Sequence, residues 1–181
     1  MSDEIAFSST LRAGRYKLAI HTRFDPEGAK ALATVQDGET VVDTREAAID
    51  ETTAPEAIEV EVRQFHDLTL SDLDLLFCVN DKVREGKNPA SLARLGTLFL
   101  EKGFYDEAVE TFSALLELDP EYEHIHYSLG RVWYRKGDNS KALDELRLAV
   151  EKQPNYPDVH YLLAAVRRKL GEHQEAVASC Q

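Results

Sequence analysis

Cysteine is scarce. The two present, Cys78 and Cys180, lie about a hundred residues apart and neither belongs to a Cys-x-x-Cys pair. That excludes a disulfide-built scaffold and a thiolate zinc site of ordinary spacing, and it suits a reducing compartment. Positive charge is the minority sign: 21 Lys and Arg stand against 33 Asp and Glu, a net charge of −12. A protein so acidic is repelled by nucleic acid and by anionic membrane, so neither is expected as a partner. No apolar run approaches the length that spans a bilayer. The opening residues, MSDEIAFSST, have neither the basic start nor the apolar middle of a secretory signal, so the expected location is the cytoplasm. Also missing are a glycine-rich phosphate loop, a nucleophile elbow and a His/Cys cluster of metal-ligand spacing. No cofactor and no catalytic residue is therefore expected. Paired carboxylates abound, as on any acidic helical surface, and read as solvated.

What the chain has is a rhythm. Residues 92–120 read LARLGTLFLEKGFYDEAVETFSALLELDP. Moved on by 34 residues, Leu95 falls on Leu129, Gly96 on Gly130, Gly103 on Gly137, Ala108 on Ala142 and Pro120 on Pro154. A further step brings Leu163, Ala164, Gly171 and Ala176 into line. In one unit, Leu92, Leu95, Gly96 and Phe99 share a helical face, and Gly103 stops the helix by taking a left-handed conformation. Ala108, Phe112 and Leu115 begin a second stripe, which Pro120 ends. One antiparallel helix pair cannot bury its apolar face alone, so successive pairs must stack.

These residues resemble the tetratricopeptide repeat. Two copies are complete. The third carries Arg167 in the aromatic position and reaches Gln181 before any proline. The resemblance implies an all-α solenoid over 89–181, divided as 89–122, 123–156 and a partial 157–181. The expected helix pairs are 89–102 with 106–118, 122–136 with 139–152, and 157–170 with 173–181.

Residues 1–86 resemble nothing recognisable and are expected to form a small α+β domain, making the whole chain α+β. The first ten residues read as loose. From Arg15, Tyr16, Leu18, Ile20, Thr22 and Phe24 alternate with polar residues, as in a half-buried strand. A second strand fits 30–36, Asp37-Gly38 signals a hairpin, and Val41 and Val42 start a third strand reaching about Thr44. The simplest arrangement is a three-stranded antiparallel meander over 15–44. Thr53-Ala54-Pro55-Glu56 reads as a capping box, and a helix is expected over 54–86, with Ser71 as a second start if it is broken.

The resemblance further implies that the first helix of each pair lines a concave groove that holds a peptide. Once the packing stripe is set aside, that face carries Arg94 and Thr97 in the first repeat. The second contributes His124, Tyr127, Arg131, Tyr134 and Arg135, and the third Tyr161, Arg168 and Lys169. Residues 89–181 hold 11 Lys and Arg against 15 Asp and Glu, and most of the acids map to the second helices and loops. The groove is thus expected to be basic and aromatic, suited to an acidic and apolar segment of a protein partner. The protein's own N-terminal half is an alternative cover for it. Chaperone-tail adaptors of this family place lysine, asparagine and arginine where this chain has Ala93, Thr97, Ser128, Asp158 and Leu162, so that subtype is not expected. His126 and His160 stand one repeat apart and read as half-buried packing residues, because two imidazoles alone make a poor metal site. The expected function is a non-catalytic interaction adaptor. The alternative is a homo-oligomeric scaffold that self-assembles through the open C-terminal edge or a sheet edge.

Overall fold

The computed structural model describes residues 5–13, 15–50 and 52–172, and the backbone but not the side chain of Pro55. The expectations placed on 173–181, a last helix with Ala176 and an open edge, lie outside the described residues, as does Cys180. Two compact units follow one another along the chain, Met1–Lys82 and Val83–Gln181.

The first unit is an antiparallel sheet covered on one face by a helix. Its strands are β1 (Ala6–Ala13), β2 (Tyr16–Asp25), β3 (Lys30–Asp37) and β4 (Thr40–Ala48), in the spatial order β1-β2-β3-β4. The meander is therefore four-stranded, not three-stranded. The stretch read as loose supplies the extra strand, pairing Ala6 with Arg23 through Ala13 with Tyr16. The β3–β4 turn consists of Gly38 and Glu39, and Gly38 stands first with φ +58°, a conformation that suits glycine. β4 runs four residues past the expected end at Thr44, with a bulge at Val35/Gln36.

Leu18, Ile20, Thr22, Ala31, Ala33 and Val35 all point to the buried face. Over it lies α1 (Pro55–Gly86), a single unbroken helix that passes through Ser71. Its first carbonyl acceptor is that of Ala54, which receives the Ala57 and Ile58 N–H groups, so Ala54 stands at the cap in place of Thr53. Val62 packs with Ala31 and Ile49, and Phe7, Phe24, Ile58 and Phe65 close around them. Val60, two residues from the buried Val62 and so off the packed side of the helix, is 52% exposed. His66 is pinned between α1 and the sheet: Nδ1 meets Thr22 Oγ1 at 2.9 Å and Nε2 meets Ser9 Oγ at 2.8 Å.

The second unit is a row of helix pairs. They are α2 (Pro89–Glu101) with α3 (Tyr105–Leu118), α4 (Ile125–Lys136) with α5 (Asn139–Lys152), and then α6 (Pro157–Leu170). Asn88 Oδ1 accepts from Ser91 N at 2.9 Å to start α2, and Asp138 Oδ1 accepts from Lys141 N at 3.1 Å to start α5. The three repeat glycines occupy equivalent bends, with φ +80° at Gly103, +91° at Gly137 and +83° at Gly171. Each closes its first helix with the same two backbone bonds. The glycine N–H reaches back three residues, at 3.3, 3.2 and 3.2 Å in turn. The next residue, Phe104, Asp138 or Glu172, reaches back five, to Phe99, Trp133 and Arg167, at 2.9, 3.0 and 2.9 Å.

Inside the pairs the small residues do what their spacing implies. A Cβ at Gly96 would lie 2.6 Å from Phe112 Cε1, and one at Gly130 would lie 2.8 Å from Leu146 Cδ2. Phe99, Phe112, Leu115, Val132 and Leu146 are essentially sealed from solvent. Each contributes about 1.5–3 kcal/mol by leaving water.

Candidate functional site

α4 and α6 carry the densest aromatic and cationic face of the second unit. His124 takes a left-handed conformation, φ +61°, at the start of α4, and its ring sits 4.5 Å from that of Tyr156. Tyr127, one turn on, meets Tyr156 edge-on at 5.1 Å, and the Arg131 guanidinium lies 5.7 Å from the Tyr127 ring centre. One further turn along α4, Tyr134 receives the Lys169 ammonium of α6 at 5.1 Å. Burial pushes the Tyr127 phenol above its ordinary pKa, with Arg131 pulling the other way, and burial followed by Asp158 raises Tyr156. Both phenols are therefore neutral near pH 7 and remain hydrogen-bond donors.

The structure thus gathers His124, Tyr127 and Arg131 into one cluster and joins Tyr134 to Lys169. Tyr161 is the most open large apolar side chain among the described residues, at 78% exposure. Arg94, Arg135 and Arg168 are exposed and make no ion pair with any described residue. Thr97 turns its hydroxyl back to donate to the Ala93 carbonyl at 2.9 Å, so that group is committed to its own helix.

Charge on this face is graded. Glu123 stands 3.3 Å from His124 Nε2, and Asp158 lies beside Tyr156. An open hollow of about 220 Å³ next to His124 and Tyr127 is rimmed by Glu121, Glu123 and Lys152. Lys152 is already engaged by Glu121 at 3.2 Å and by the Pro120 carbonyl at 2.9 Å. Cations collect instead in the last turns, Arg135 and Lys136 on α4 and Arg167 to Lys169 on α6, where they also oppose the helix dipole.

Tyr156 was not singled out from the sequence. Its signal was available: Tyr122 and Tyr156 stand one repeat apart, each followed closely by a first helix. The two histidines one repeat apart go separate ways. His126 Nδ1 lies 2.9 Å from Glu145 Oε2, and His160 Nε2 donates to the Pro154 carbonyl at 2.7 Å. Among the described residues no group of three or more His, Cys, Asp and Glu is placed to hold a metal ion.

The tetratricopeptide-repeat family model matches residues 93–157. The C-terminal half carries tetratricopeptide repeats. Two crystal structures of the protein MamA share the fold. One is 25% identical with a TM-score of 0.54, over 60% of this chain and 63% of that one. The other is 24% identical with a TM-score of 0.54, over 66% and 64%. A third MamA structure, from MSR-1, is 21% identical with a TM-score of 0.50 over 72% and 78%. The chain thus spans less than two thirds of the length of the first two. Among curated proteins none matches the sequence significantly. Tetratricopeptide repeats are protein-interaction modules, and a protein-binding scaffold is the role they support here. No helix among the described residues is long and apolar enough to cross a membrane.

Proposed function

We propose that this protein is a non-catalytic adaptor that acts in the cytoplasm and holds a segment of a partner protein along the face of α2, α4 and α6. The observation that carries the reading is the cluster of His124, Tyr127, Tyr156 and Arg131, continued by Tyr134 with Lys169 and by the open ring of Tyr161. Rigid aromatic rings with guanidinium and ammonium groups beside them are what protein segments use as anchors. The charge gradient orients the segment. Its acidic residues face Arg131, Arg168 and Lys169, and its apolar residues lie over Tyr127, Tyr156 and Tyr161. The division of the chain into a domain of 1–86 and a repeat array from 89 belongs to the same reading: the array bears the ligand.

Tyr127 and Tyr134 also pack against the core formed by Ala142, Leu146, Val159 and Val166. Removing them would confuse binding with folding. The informative variant is therefore Arg131→Glu with Tyr161→Ala, and Leu148→Ala, an exposed change on α5, is the control. In quantitative affinity capture from lysate, the double variant should lose the proteins that the parent and the control retain, by about tenfold or more, as expected for two anchor residues. Equal capture by all three proteins would remove the first-helix face from consideration.

A further inference from the structure

A second charged surface lies in the first unit, on the sheet face turned away from α1. The register places four rows of residues there. Arg12 stands directly opposite Lys17, Thr10 opposite Ala19, Ser8 opposite His21 and Ala6 opposite Arg23. On the far side, Gln36, Thr34 and Leu32 continue the last three rows. Arg12, Lys17 and Arg23 are exposed, and no described carboxylate pairs with any of them. The outward cation of β3, Lys30, is held by Glu46 of β4 at 3.1 Å.

This arrangement runs against the rest of the unit, since residues 1–82 hold 8 Lys and Arg against 17 Asp and Glu. It also carries a local cost, because like charges directly opposite on one sheet face repel. Guarding a sheet edge does not explain it. That role belongs to outer strands, whereas Lys17 and Arg23 lie on β2, which is flanked by β1 and β3.

We propose that this outward face docks an acidic polypeptide segment that lies extended along β2. Lys17 and Arg23 are six residues apart on one strand, a separation of about 20 Å. An extended partner strand presents carboxylates at the same spacing from residues six apart. The small and hydroxylated residues between them, Ala19, Ser8 and Thr10, let a backbone approach. Among the described residues the exposed ring on this face is the single imidazole of His21, bonded to Ser8 Oγ at 2.9 Å, so successive bases have no row of rings to stack on, which disfavours single-stranded nucleic acid. The face's bulky apolar side chains, Leu32 and the half-exposed Val41, stand in different rows and form no continuous patch to enter a bilayer, and a net charge of −12 repels both kinds of extended polyanion. A short acidic segment feels mainly the nearby cations, since charges beyond about 8 Å are screened at physiological salt.

The test uses the full chain and nitrogen-15 amide spectra, titrated with an alternating Glu-Ala peptide twelve residues long. Its Gln-Ala counterpart, oligo-dT and phosphatidylserine vesicles are run in parallel. Saturable shifts at Arg12, Lys17, His21 and Arg23 with the Glu-Ala peptide, absent with Gln-Ala and fading as salt is raised, are expected. Arg12→Glu with Lys17→Glu should weaken that binding by about tenfold or more, judged by the loss of two charge-assisted contacts. Arg131→Glu should leave these shifts in place, which separates this site from the repeat face. Preserved dispersion of the α1 and β3 signals shows that the variant is folded, and Arg23→Glu alone gives an independent second reading. The proposal is overturned if the shifts are confined to the repeats, if Gln-Ala produces them equally, if charge reversal leaves them unchanged, or if oligo-dT or vesicles bind this face and the peptide does not.

Discussion

Replacing Gly96 by alanine puts a methyl carbon 2.6 Å from Phe112 Cε1 and 2.8 Å from Cδ1 and Cζ. Ordinary carbon–carbon contact is about 3.5–4 Å, so the atoms cannot coexist without movement. The Phe112 ring is 1% exposed, so it has no direct way out into solvent. Two effects oppose each other. Alanine is the better helix former by about 1 kcal/mol. Overpacking a sealed helix contact costs about 1–3 kcal/mol, and a rigid ring places this case at the upper end. The net expectation is a loss of about 1–2 kcal/mol, read as a lower urea midpoint by circular dichroism. Phe112→Leu makes room for the methyl group, so the double variant should be more stable than the sum of the single changes by about 1 kcal/mol. A Gly96→Ala protein as stable as the parent, or more stable, would mean that helix propensity wins and that α2 and α3 do not approach as closely as described.

The bends give a different kind of loss. Gly137 has φ +91° with nothing within 4 Å of a Cβ, so Gly137→Ala should cost about 1–2 kcal/mol from conformation alone, and Gly137→Asn less, in the same urea assay. Leu146→Ala empties a fully buried site on α5 and should cost about 2–5 kcal/mol. His66 is 3% exposed, and burial lowers its pKa, with Asp67 pulling it up and His21 pushing it down. Its folded pKa therefore lies below the unfolded value of about 6.5. The stability it contributes is full above that value and is lost as pH falls through the folded pKa. Urea midpoints measured between about pH 8 and pH 5 should fall more steeply for the parent than for His66→Gln.

The repeats were legible because their punctuation is backbone chemistry. Gly103, Gly137 and Gly171 must adopt positive φ, and Gly96 and Gly130 must admit Phe112 and Leu146, so those positions tolerate little else. β1 was not legible. Its inward positions are Phe7, Ser9, Leu11 and Ala13, and the serine interrupts the apolar alternation because its hydroxyl bonds to His66. The end of β4 was hidden in the same way. Beyond the bulge Asp43 and Arg45 are both largely covered, paired with each other at 2.9 Å, and Arg45 also with Asp72 of α1 at 3.0 Å, so the half-buried side of the strand reads as polar. α1 carries apolar residues on both sides, with Leu68 and Leu75 exposed at 60% and 62%, and this blurred its period. At the candidate site, residue types on the first helices could be read from spacing. The contribution of Tyr156 from a connection, and the loss of the Thr97 hydroxyl to its own helix, depend on geometry that spacing does not contain.

The most direct measurement of the central claim is site-selective photocrosslinking in cells. A benzophenone side chain is introduced at Tyr161 on the first-helix face, or at Leu148 on the second-helix side, and each protein is irradiated and resolved by mass. The first-helix face should yield a discrete crosslinked species that Arg131→Glu removes, and Leu148 should yield none. A product from Leu148 alone, or the same product from both positions regardless of Arg131, would contradict the account.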